Sequence, residues 1–257
     1  MMAAAADRAP RVAWVTGAGK GIGRALAKRL ADEGWTVAVS ARTENDLKSL
    51  VAESPSGRIH AFPLDITNAG QAMVTVDVIE NRLGSLSLVI LNAGTHIPMS
   101  AEAFSAATMR KLVDVNLMGT VHCLDSVMHR FIERKAGHIA VVASLAGYRG
   151  LPTSAAYGAT KAGLINMCEA LKPELAVHDV RLTLINPGFV ETPLTEKNDF
   201  PMPFLIPVDA AVEYIMQGLN GNAFEIAFPR RFAWLMKFLR ILPDSLFFAI
   251  TRRMLRT

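Results

Sequence analysis

The stretch SAAYGATKAG, residues 154 to 163, places a tyrosine and a lysine four residues apart. The surrounding residues are mostly good helix formers, and side chains at positions i and i+4 lie on one face of a helix. A neighbouring ammonium lowers the pKa of a phenol, which makes the phenol a usable proton donor or acceptor. Tyr157 and Lys161 are therefore candidates for acid–base chemistry. A tyrosine that only packs and a lysine that reaches solvent would show the same spacing.

A glycine-rich turn is the second candidate site. The sequence TGAGKGIG, residues 16 to 23, carries four glycines between a strand-like run and a helix-like run. Glycine lets the backbone turn sharply and approach a pyrophosphate, which the N-terminus of the following helix attracts. The spacing of Gly17, Gly21 and Gly23 differs from the general dinucleotide motif, and glycines also serve ordinary tight turns. The position between strand and helix favours nucleotide binding.

The residues after the second strand-like run indicate which nucleotide binds. An acidic residue there accepts the ribose 2′-hydroxyl of NAD, whereas an arginine suits the 2′-phosphate of NADP. The sequence VAVSART has Arg42 and no acidic residue before Glu44, and Lys20 adds a second positive charge within the glycine turn. Two solvated basic side chains are the alternative interpretation. We predict a preference for NADP(H) over NAD(H).

Short β-branched runs alternate with longer amphipathic segments and must position these residues. The runs at 11 to 16, 35 to 40, 58 to 64, 86 to 91, 138 to 144 and 180 to 185 read as buried strands, and those at 22 to 33, 44 to 53, 68 to 83, 105 to 135 and 155 to 178 as helices. This alternation predicts parallel strands with right-handed crossovers and helices on both faces. Ligands of such sheets bind at the carboxyl ends of the strands.

Composition narrows the classes of protein. The chain has 257 residues, 51% of them hydrophobic, which allows one large α/β domain or two small ones, and no Gly/Ser linker divides the sequence. Residues from 230 onward carry seven basic side chains and one acidic one, so this tail accounts for +6 and the rest of the chain for −2 of the net +4. The high pI thus describes the tail, and we expect no nucleic-acid partner.

Other simple functions have little support in the sequence. The first residues resemble no secretory signal, and no long apolar segment predicts a transmembrane helix, so we expect a cytoplasmic protein. Cys123 and Cys168 are far apart and read as small buried thiols. The six histidines and two cysteines form no ligand pattern, so we predict no metal site. His96 follows the sequence NAG and could approach a substrate, although a surface role is the favoured interpretation.

In these features the chain resembles the short-chain dehydrogenase/reductases over residues 11 to 226. The motifs occur in order: TGAGKGIG, Asp65, NAG at 92 to 94, Asn116, Ser144, Tyr157 with Lys161, and NPG at 186 to 188 followed by Thr192. Leu91 departs from the family, which often has Asn there. The resemblance implies a single Rossmann-like, doubly wound, mostly parallel α/β sheet of about seven strands over residues 11 to 229, after a flexible N-terminus at 1 to 10 and before an extension at 230 to 257.

The resemblance also implies roles for individual residues. Tyr157 would be the general acid and base, and Lys161 would lower its pKa and hold the nicotinamide ribose. Ser144 would bond the substrate oxygen, and Asn116 would interrupt its helix and hold a water that reprotonates Tyr157. The implied cofactor-binding residues are Thr16, Gly17, Gly19, Lys20, Gly21, Ile22, Gly23, Arg42, Asp65, Ile66, Asn92, Ala93, Gly94, Tyr157, Lys161, Pro187, Gly188, Val190 and Thr192.

Two segments bear on the substrate. The apolar, proline-interrupted stretch from Phe189 to Ile206 corresponds to the family's substrate cover, which suggests a lipophilic carbonyl or alcohol. The tail has two short helical patterns, 230 to 242 and 244 to 256, separated by Pro243. Their mixture of aromatic and basic residues suits an anionic membrane surface, while a subunit interface or a lid over the active site is the alternative.

We therefore predict an NADP(H)-dependent oxidoreductase that acts on a small-molecule carbonyl or alcohol of lipophilic character. By the resemblance, it would form a dimer or tetramer. A non-catalytic NADP(H)-binding regulator and a membrane-recruited interaction protein are the other two classes. The intact set of Ser144, Tyr157 and Lys161 argues against the regulator.

Overall fold

The predicted strands form one parallel sheet in the computed structural model, which describes residues 11 to 197 and 201 to 255, without the Lys197 side chain. The strand order is β3-β2-β1-β4-β5-β6-β7, and every neighbouring pair is parallel. This confirms the doubly wound α/β fold. The strands are β1 Val12–Thr16, β2 Thr36–Ser40, β3 Ile59–Ala61, β4 Leu86–Leu91, β5 Gly137–Val142, β6 Val180–Pro187 and β7 Glu225–Phe228.

Helices connect the strands and cover both faces of the sheet. They are α1 Gly21–Asp32, α2 Glu44–Ala52, α3 Ala69–Leu83, α4 Ala106–Leu112, α5 Gly119–Arg134, α6 Ala155–Ala176, α7 Val208–Asn220, α8 Arg230–Ile241 and α9 Asp244–Arg253. A π-helical segment, Val113–Met118, joins α4 to α5, and short 3₁₀ turns lie at Leu145–Gly147 and Thr195–Lys197.

The side chains of each strand divide between two hydrophobic cores. In β1, Val12 and Trp14 belong to one core, whereas Ala13 and Val15 belong to the other. This alternation follows from the two-residue period of a strand, and it requires apolar residues at every position because helices cover both faces. The first core includes residues of α3, α5, α6, α8 and α9, and the second includes residues of α1, α2 and α7.

Three elements, β3, α7 and β7, differ from the predicted segments. The π-helical segment divides the helical segment 105 to 135, as the resemblance implied for Asn116. Strand β3 has only three residues. Both α7 and β7 were absent from the predicted segments, although they bring the sheet to the expected seven strands. The tail divides at Pro243 as predicted, but the buried side of α8 joins the first core, so α8 packs on the domain. The domain boundary at residue 229 stays a prediction.

The order of strands reverses at β1, which lies between β2 and β4. The connections after the neighbouring strands β1 and β4 leave in opposite directions, and a crevice opens where they diverge. The glycine turn follows β1, and the sequence NAG follows β4. The topology thus brings two motifs separated by about 75 residues together at the carboxyl edge.

Other features of the described residues complete the fold. Cys123 and Cys168 are free thiols in the first core, where burial raises the pKa of each to about 12. Within the described chain, no helix has the length and apolarity to cross a membrane. In the same residues, no group of three or more His, Cys, Asp or Glu side chains is placed to hold a metal ion.

A histidine in β5 predicts a loss of stability in acid. Burial, with smaller contributions from Arg181 and Lys172, lowers the pKa of His138 from 6.5 to about 3, and its Nε2 lies 2.9 Å from the Thr183 hydroxyl. Below about pH 6.5 the unfolded chain takes up a proton that the folded chain refuses, so stability falls as the pH drops towards about 3. We expect about 2 kcal/mol of this loss between about pH 7 and about pH 5.

Urea unfolding at both pH values tests this expectation with His138→Gln, which keeps a polar partner for Thr183. The decrease between the two pH values should shrink by about 2 kcal/mol in this variant. His129→Gln, at an exposed position in α5, is the control and should lose as much stability as the wild type. An unchanged decrease in His138→Gln would contradict the assignment.

Candidate active site

Tyr157 and Lys161 lie in the first two turns of α6, as their spacing predicts. Lys161 is 4% exposed; its ammonium donates to the Val142 carbonyl at the end of β5 over 3.0 Å and lies 5.8 Å from the centroid of the Tyr157 ring. Burial lowers the pKa of Lys161 to about 8. A helix therefore delivers a phenol and a buried amine to the carboxyl edge of the sheet.

The protonation of Tyr157 differs from the sequence-based prediction. Burial raises the pKa of this phenol, and a hydrogen bond with Ser144 opposes the shift. The expected lowering by Lys161 does not decide the outcome, because the buried phenolate loses more hydration than an amine beyond hydrogen-bond distance restores. The phenol is thus protonated near neutral pH, which is the state required to donate a proton.

Ser144 is placed between Tyr157 and the end of β6. Its Oγ donates to the Pro187 carbonyl over 3.4 Å and accepts from the Ala146 N–H over 3.1 Å. The 3₁₀ turn after β5 positions the hydroxyl in this way. Ser144 and Tyr157 thus present two hydroxyls to the same space.

Asn116 lies fully buried in the π-helical segment, so the predicted interruption of the helix occurs at this residue. Its Oδ1 accepts from the Thr95 N–H over 2.7 Å, and its Nδ2 donates to the Thr95 carbonyl over 2.9 Å. Nδ2 also lies 3.3 Å from the Thr160 hydroxyl. The side chain therefore ties the loop after β4 to α6, a role that sequence reasoning missed. The predicted water remains a prediction.

The glycine turn packs directly against the loop after β4. The Thr16 hydroxyl accepts from the N–H groups of Asn92 and Ala93 over 3.1 and 3.2 Å. Asn92 Nδ2 donates back to the carbonyls of Thr16 and Gly17 over 3.1 and 3.3 Å. Gly17 has a φ of +66°, and a Cβ there would lie 2.6 Å from the Ala93 Cα. The turn therefore requires glycine and brings the two predicted motifs into one unit.

Thr192 closes the other side of this turn. A Cβ on Gly21 would lie 3.1 Å from the Thr192 methyl group. A narrow cleft of about 110 Å³ runs from here to Ser144 and Tyr157. Eight predicted cofactor residues that are far apart in the sequence line this cleft, namely Ile22, Asn92, Gly94, Lys161, Pro187, Gly188, Val190 and Thr192. The partly exposed backbone of Gly17 and Gly21, at a helix N-terminus near this cleft, fits the pyrophosphate of a dinucleotide.

The residues predicted to bind the adenosine half of the cofactor have different surroundings in the structure. Arg42 is exposed after β2 and makes no hydrogen bond or salt bridge within the described residues. Asp65 accepts from the Thr67 N–H over 3.0 Å, which mainly lowers the pKa of its carboxyl, and the charge of Arg42 adds to this shift. Asn68, not Asp65, caps α3. Lys20 lies 3.6 Å from Asp46, which itself flanks Gly19.

Ile66 does not reach the site with its side chain. It is 8% exposed and packs beneath Gly119, where a Cβ would lie 2.6 Å from the Ile66 Cδ1. Only its backbone is available to a ligand, and its carbonyl lies 2.9 Å from His122 Nδ1. Cofactor binding by Ile66 thus stays a prediction, and it concerns the backbone of this residue.

A second, larger cavity of about 520 Å³ adjoins Ser144 and Tyr157 on the side away from the glycine turn. Both cavities share Ser144, Tyr157, Gly188, Leu194 and Thr195, so they meet at the two hydroxyls. Most of the wall is apolar. The other lining residues are His96, Leu145, Ala146, Leu151, Pro152, Thr153, Ser154, Phe189, Pro201, Pro203, Phe232, Leu235, Met236, Leu239, Met254 and Leu255.

His96 was expected at the surface, but it lines this cavity. Its ring meets the Tyr157 ring edge-on, with centroids 4.7 Å apart. Of the apolar residues predicted to cover a substrate, Phe189 lines the cavity and Phe204 stacks on Phe232 at 5.8 Å. Phe200 lies outside the described residues. The expectation of an apolar cover is thus met in part by these residues and in part by α8.

Helix α8 and the residues after α9 roof the cavity, which corresponds to the lid among the alternatives for the tail. Phe232, Leu235, Met236 and Leu239 of α8 line it. Sequence reasoning missed these residues as site residues. The sequence did show that α8 has an apolar side, which must be buried against another surface, but it did not show that this surface is the cavity.

Arg149 fixes this roof to the loop after Ser144. Its guanidinium donates to the carbonyls of Leu239 and Leu242 over 2.7 and 2.6 Å and to Asp244 over 2.5 Å, and it lies 3.9 Å from the centroid of the Phe247 ring. The carbonyls at the end of α8 lack partners within the helix, and a cation there satisfies them. One side chain thus joins both C-terminal helices to the loop after Ser144.

Comparisons with known proteins agree with this geometry. The family model described as short chain dehydrogenase matches residues 11–201. An uncharacterised oxidoreductase of Myxococcus xanthus is 38% identical over 251 residues, which cover 97% of this chain and 99% of that relative.

Solved structures show the same fold. A short-chain dehydrogenase/reductase from Burkholderia phymatum in complex with NAD has a TM-score of 0.82 at 21% identity, covering 89% of this chain and 92% of the other. A variant of actinorhodin polyketide ketoreductase with NADPH has a TM-score of 0.77 at 24% identity, covering 85% and 95%. The family match, and a relative this similar along nearly the whole length, show that the chain belongs to the short-chain dehydrogenase family of oxidoreductases.

Proposed function

We propose that this protein transfers a hydride between NADP(H) and the carbonyl or alcohol carbon of a lipophilic substrate. The observation that carries the proposal is the meeting of two cavities at Ser144 and Tyr157, one beside the glycine turn and one with apolar walls. A nucleotide in the first and a substrate in the second would face each other across these hydroxyls. No described feature favours the non-catalytic regulator.

The chemistry of the site follows from its donors. The nicotinamide, when bound, supplies the hydride. The Tyr157 hydroxyl donates a proton to the substrate oxygen and, in the reverse direction, accepts it. The Ser144 hydroxyl donates a hydrogen bond to the same oxygen, where negative charge develops. The Lys161 ammonium, held by the Val142 carbonyl, favours the phenolate that remains after proton transfer.

The preference for NADP(H) is supported by charge at the end of β2. Arg42 has no ion-pair partner among the described residues, and Lys20 lies in the adjacent glycine turn. Ser40 is not an acidic alternative, and its hydroxyl already accepts from Trp14 Nε1 over 3.0 Å. A 2′-phosphate would supply the missing anionic partner.

The lipophilic substrate is supported by the walls of the larger cavity. We expect kcat/KM for the carbonyl substrate to rise along a series of aldehydes or ketones of increasing chain length. Each buried methylene contributes about 0.8 kcal/mol, or about fourfold, until the cavity is filled. Absorbance of NADPH measures the rates, and a preference for short polar carbonyls would contradict the proposal. The predicted dimer or tetramer is a separate proposal, for light scattering to test.

A further inference from the structure

The two C-terminal helices expose an unusual amount of apolar surface. In α8, Trp234, Phe238 and Ile241 are 73%, 54% and 77% exposed, and their spacing places them on one face. In α9, Leu246 and Phe248 are 55% and 60% exposed. Single exposed apolar residues are common, but a contiguous group of large ones marks a surface that another molecule covers.

The same helices carry positive charge that no described residue neutralises. Asp244 is bound by Arg149, and Lys237 by Glu225. Arg230 lies one turn before Trp234, so helix periodicity places a guanidinium beside the exposed indole. Five arginines of these helices form no salt bridge within the described parts of the chain, namely Arg230, Arg231, Arg240, Arg252 and Arg253.

The combination of exposed apolar and basic side chains distinguishes between two molecules that could cover this surface, a second copy of the chain and a lipid membrane. A second copy docked through the same face would oppose five arginines with five more, because a two-fold interface pairs identical surfaces. An anionic lipid surface instead attracts arginines and accepts tryptophan and phenylalanine at the headgroup boundary.

The opening of the larger cavity lies within this surface. Leu235, Met254 and Leu255 line the cavity and are 43%, 53% and 66% exposed, so they reach from its interior to the outside. Leu235 lies in α8, and Met254 and Leu255 directly follow α9. A lipophilic molecule in a membrane beneath these helices would meet the opening without crossing water.

We propose that α8 and α9 dock on an anionic lipid membrane and that the substrate cavity opens towards it. The docking stands on the exposed surface and its charge, whereas delivery of a membrane-borne substrate also rests on the proposed function. The helices lie in the interface and do not span it.

Flotation with vesicles tests the docking without any measurement of activity. The full chain is mixed with vesicles of phosphatidylcholine and phosphatidylglycerol or of phosphatidylcholine alone. We expect binding to the anionic vesicles only, weakened by salt. The triple variant Trp234→Ala, Phe238→Ala, Ile241→Ala should lower the partition coefficient by at least about tenfold. These side chains do not line the cavity, so turnover of a short, water-soluble carbonyl should be unchanged.

A matched triple variant serves as the control. Phe104→Ala, Val74→Ala and Val177→Ala remove side chains that are 63%, 60% and 77% exposed elsewhere on the surface, and this variant should float like the wild type. Circular dichroism verifies folding of both triple variants. Arg230→Glu with Arg231→Glu provides a second test, since it should weaken binding to anionic vesicles while keeping the apolar face.

Three outcomes would overturn the docking. They are failure of the wild type to bind anionic vesicles, flotation of the α8 triple variant at the wild-type level, and a dimer seen in ultracentrifugation that the α8 triple substitution dissociates.

Delivery of a substrate from the membrane is tested with a long-chain ketone loaded into the vesicles. The α8 triple variant should turn over the vesicle-loaded ketone at least about tenfold more slowly than the wild type, but a soluble ketone at the same rate. Docking without turnover of either ketone would refute the reductase while the membrane surface stands.

Discussion

Replacement of Tyr157 by phenylalanine should lower kcat/KM for carbonyl reduction by about a hundredfold to ten-thousandfold. The substitution removes only the hydroxyl that donates the proton. The ring, its edge-on contact with His96 and its place beside Lys161 remain. NADPH affinity should therefore change little. Rates from NADPH absorbance and affinities from fluorescence titration separate the two effects.

Tyr214→Phe is the matched control for Tyr157→Phe. The chain has three tyrosines. Tyr214 lies in α7, stacks on Phe228 and lines neither cavity. We expect it to retain the wild-type rate. Ser144→Ala should lose less than Tyr157→Phe, about a hundredfold, because it removes a hydrogen-bond donor but no proton. If Tyr157→Phe kept more than about a tenth of the activity, the proton would come from another group.

The elements that sequence reasoning found are those with a strong local signal. Strands buried on both faces are continuous apolar runs, so six of them could be recognised without tertiary information. Strand β7 has four residues, of which only Ile226 and Phe228 are buried, and it follows a glycine-containing loop. Its identity as a strand depends on pairing with β6, which the local sequence does not encode.

The candidate site divides in the same way. The nucleotide cleft is built from loops that directly follow strands, so their positions follow from the parallel topology. The roof depends on Arg149, which bonds carbonyls about 90 residues away in the chain. The high pKa of Tyr157 depends on burial, which its spacing from Lys161 does not reveal. Local patterns thus predicted which residues meet, but not how their surroundings change their chemistry.

Replacement of Arg42 by aspartate should reverse the nucleotide preference. The wild type should bind NADPH more tightly than NADH because Arg42 offers an unpaired guanidinium to the 2′-phosphate. In the variant, the new carboxylate repels that phosphate and accepts a hydrogen bond from the 2′-hydroxyl of NADH. We expect the ratio of NADPH to NADH affinity to fall by about a hundredfold or more, since a charge-assisted contact of about 1.5 to 3 kcal/mol is lost and a repulsion is added.

The control for this reversal is Arg58→Asp, which makes the same change of charge at the amino end of β3. Arg58 donates to the Gly34 carbonyl over 3.3 Å, at the opposite edge of the sheet from the nucleotide cleft. Its variant should keep the wild-type ratio of affinities, whereas a general effect of net charge would alter both variants alike. Isothermal titration with both nucleotides measures the ratios. An Arg42→Asp variant that binds NADPH within about threefold of the wild type would show that the 2′-phosphate is held elsewhere, with Lys20 as the next candidate because it lies in the glycine turn.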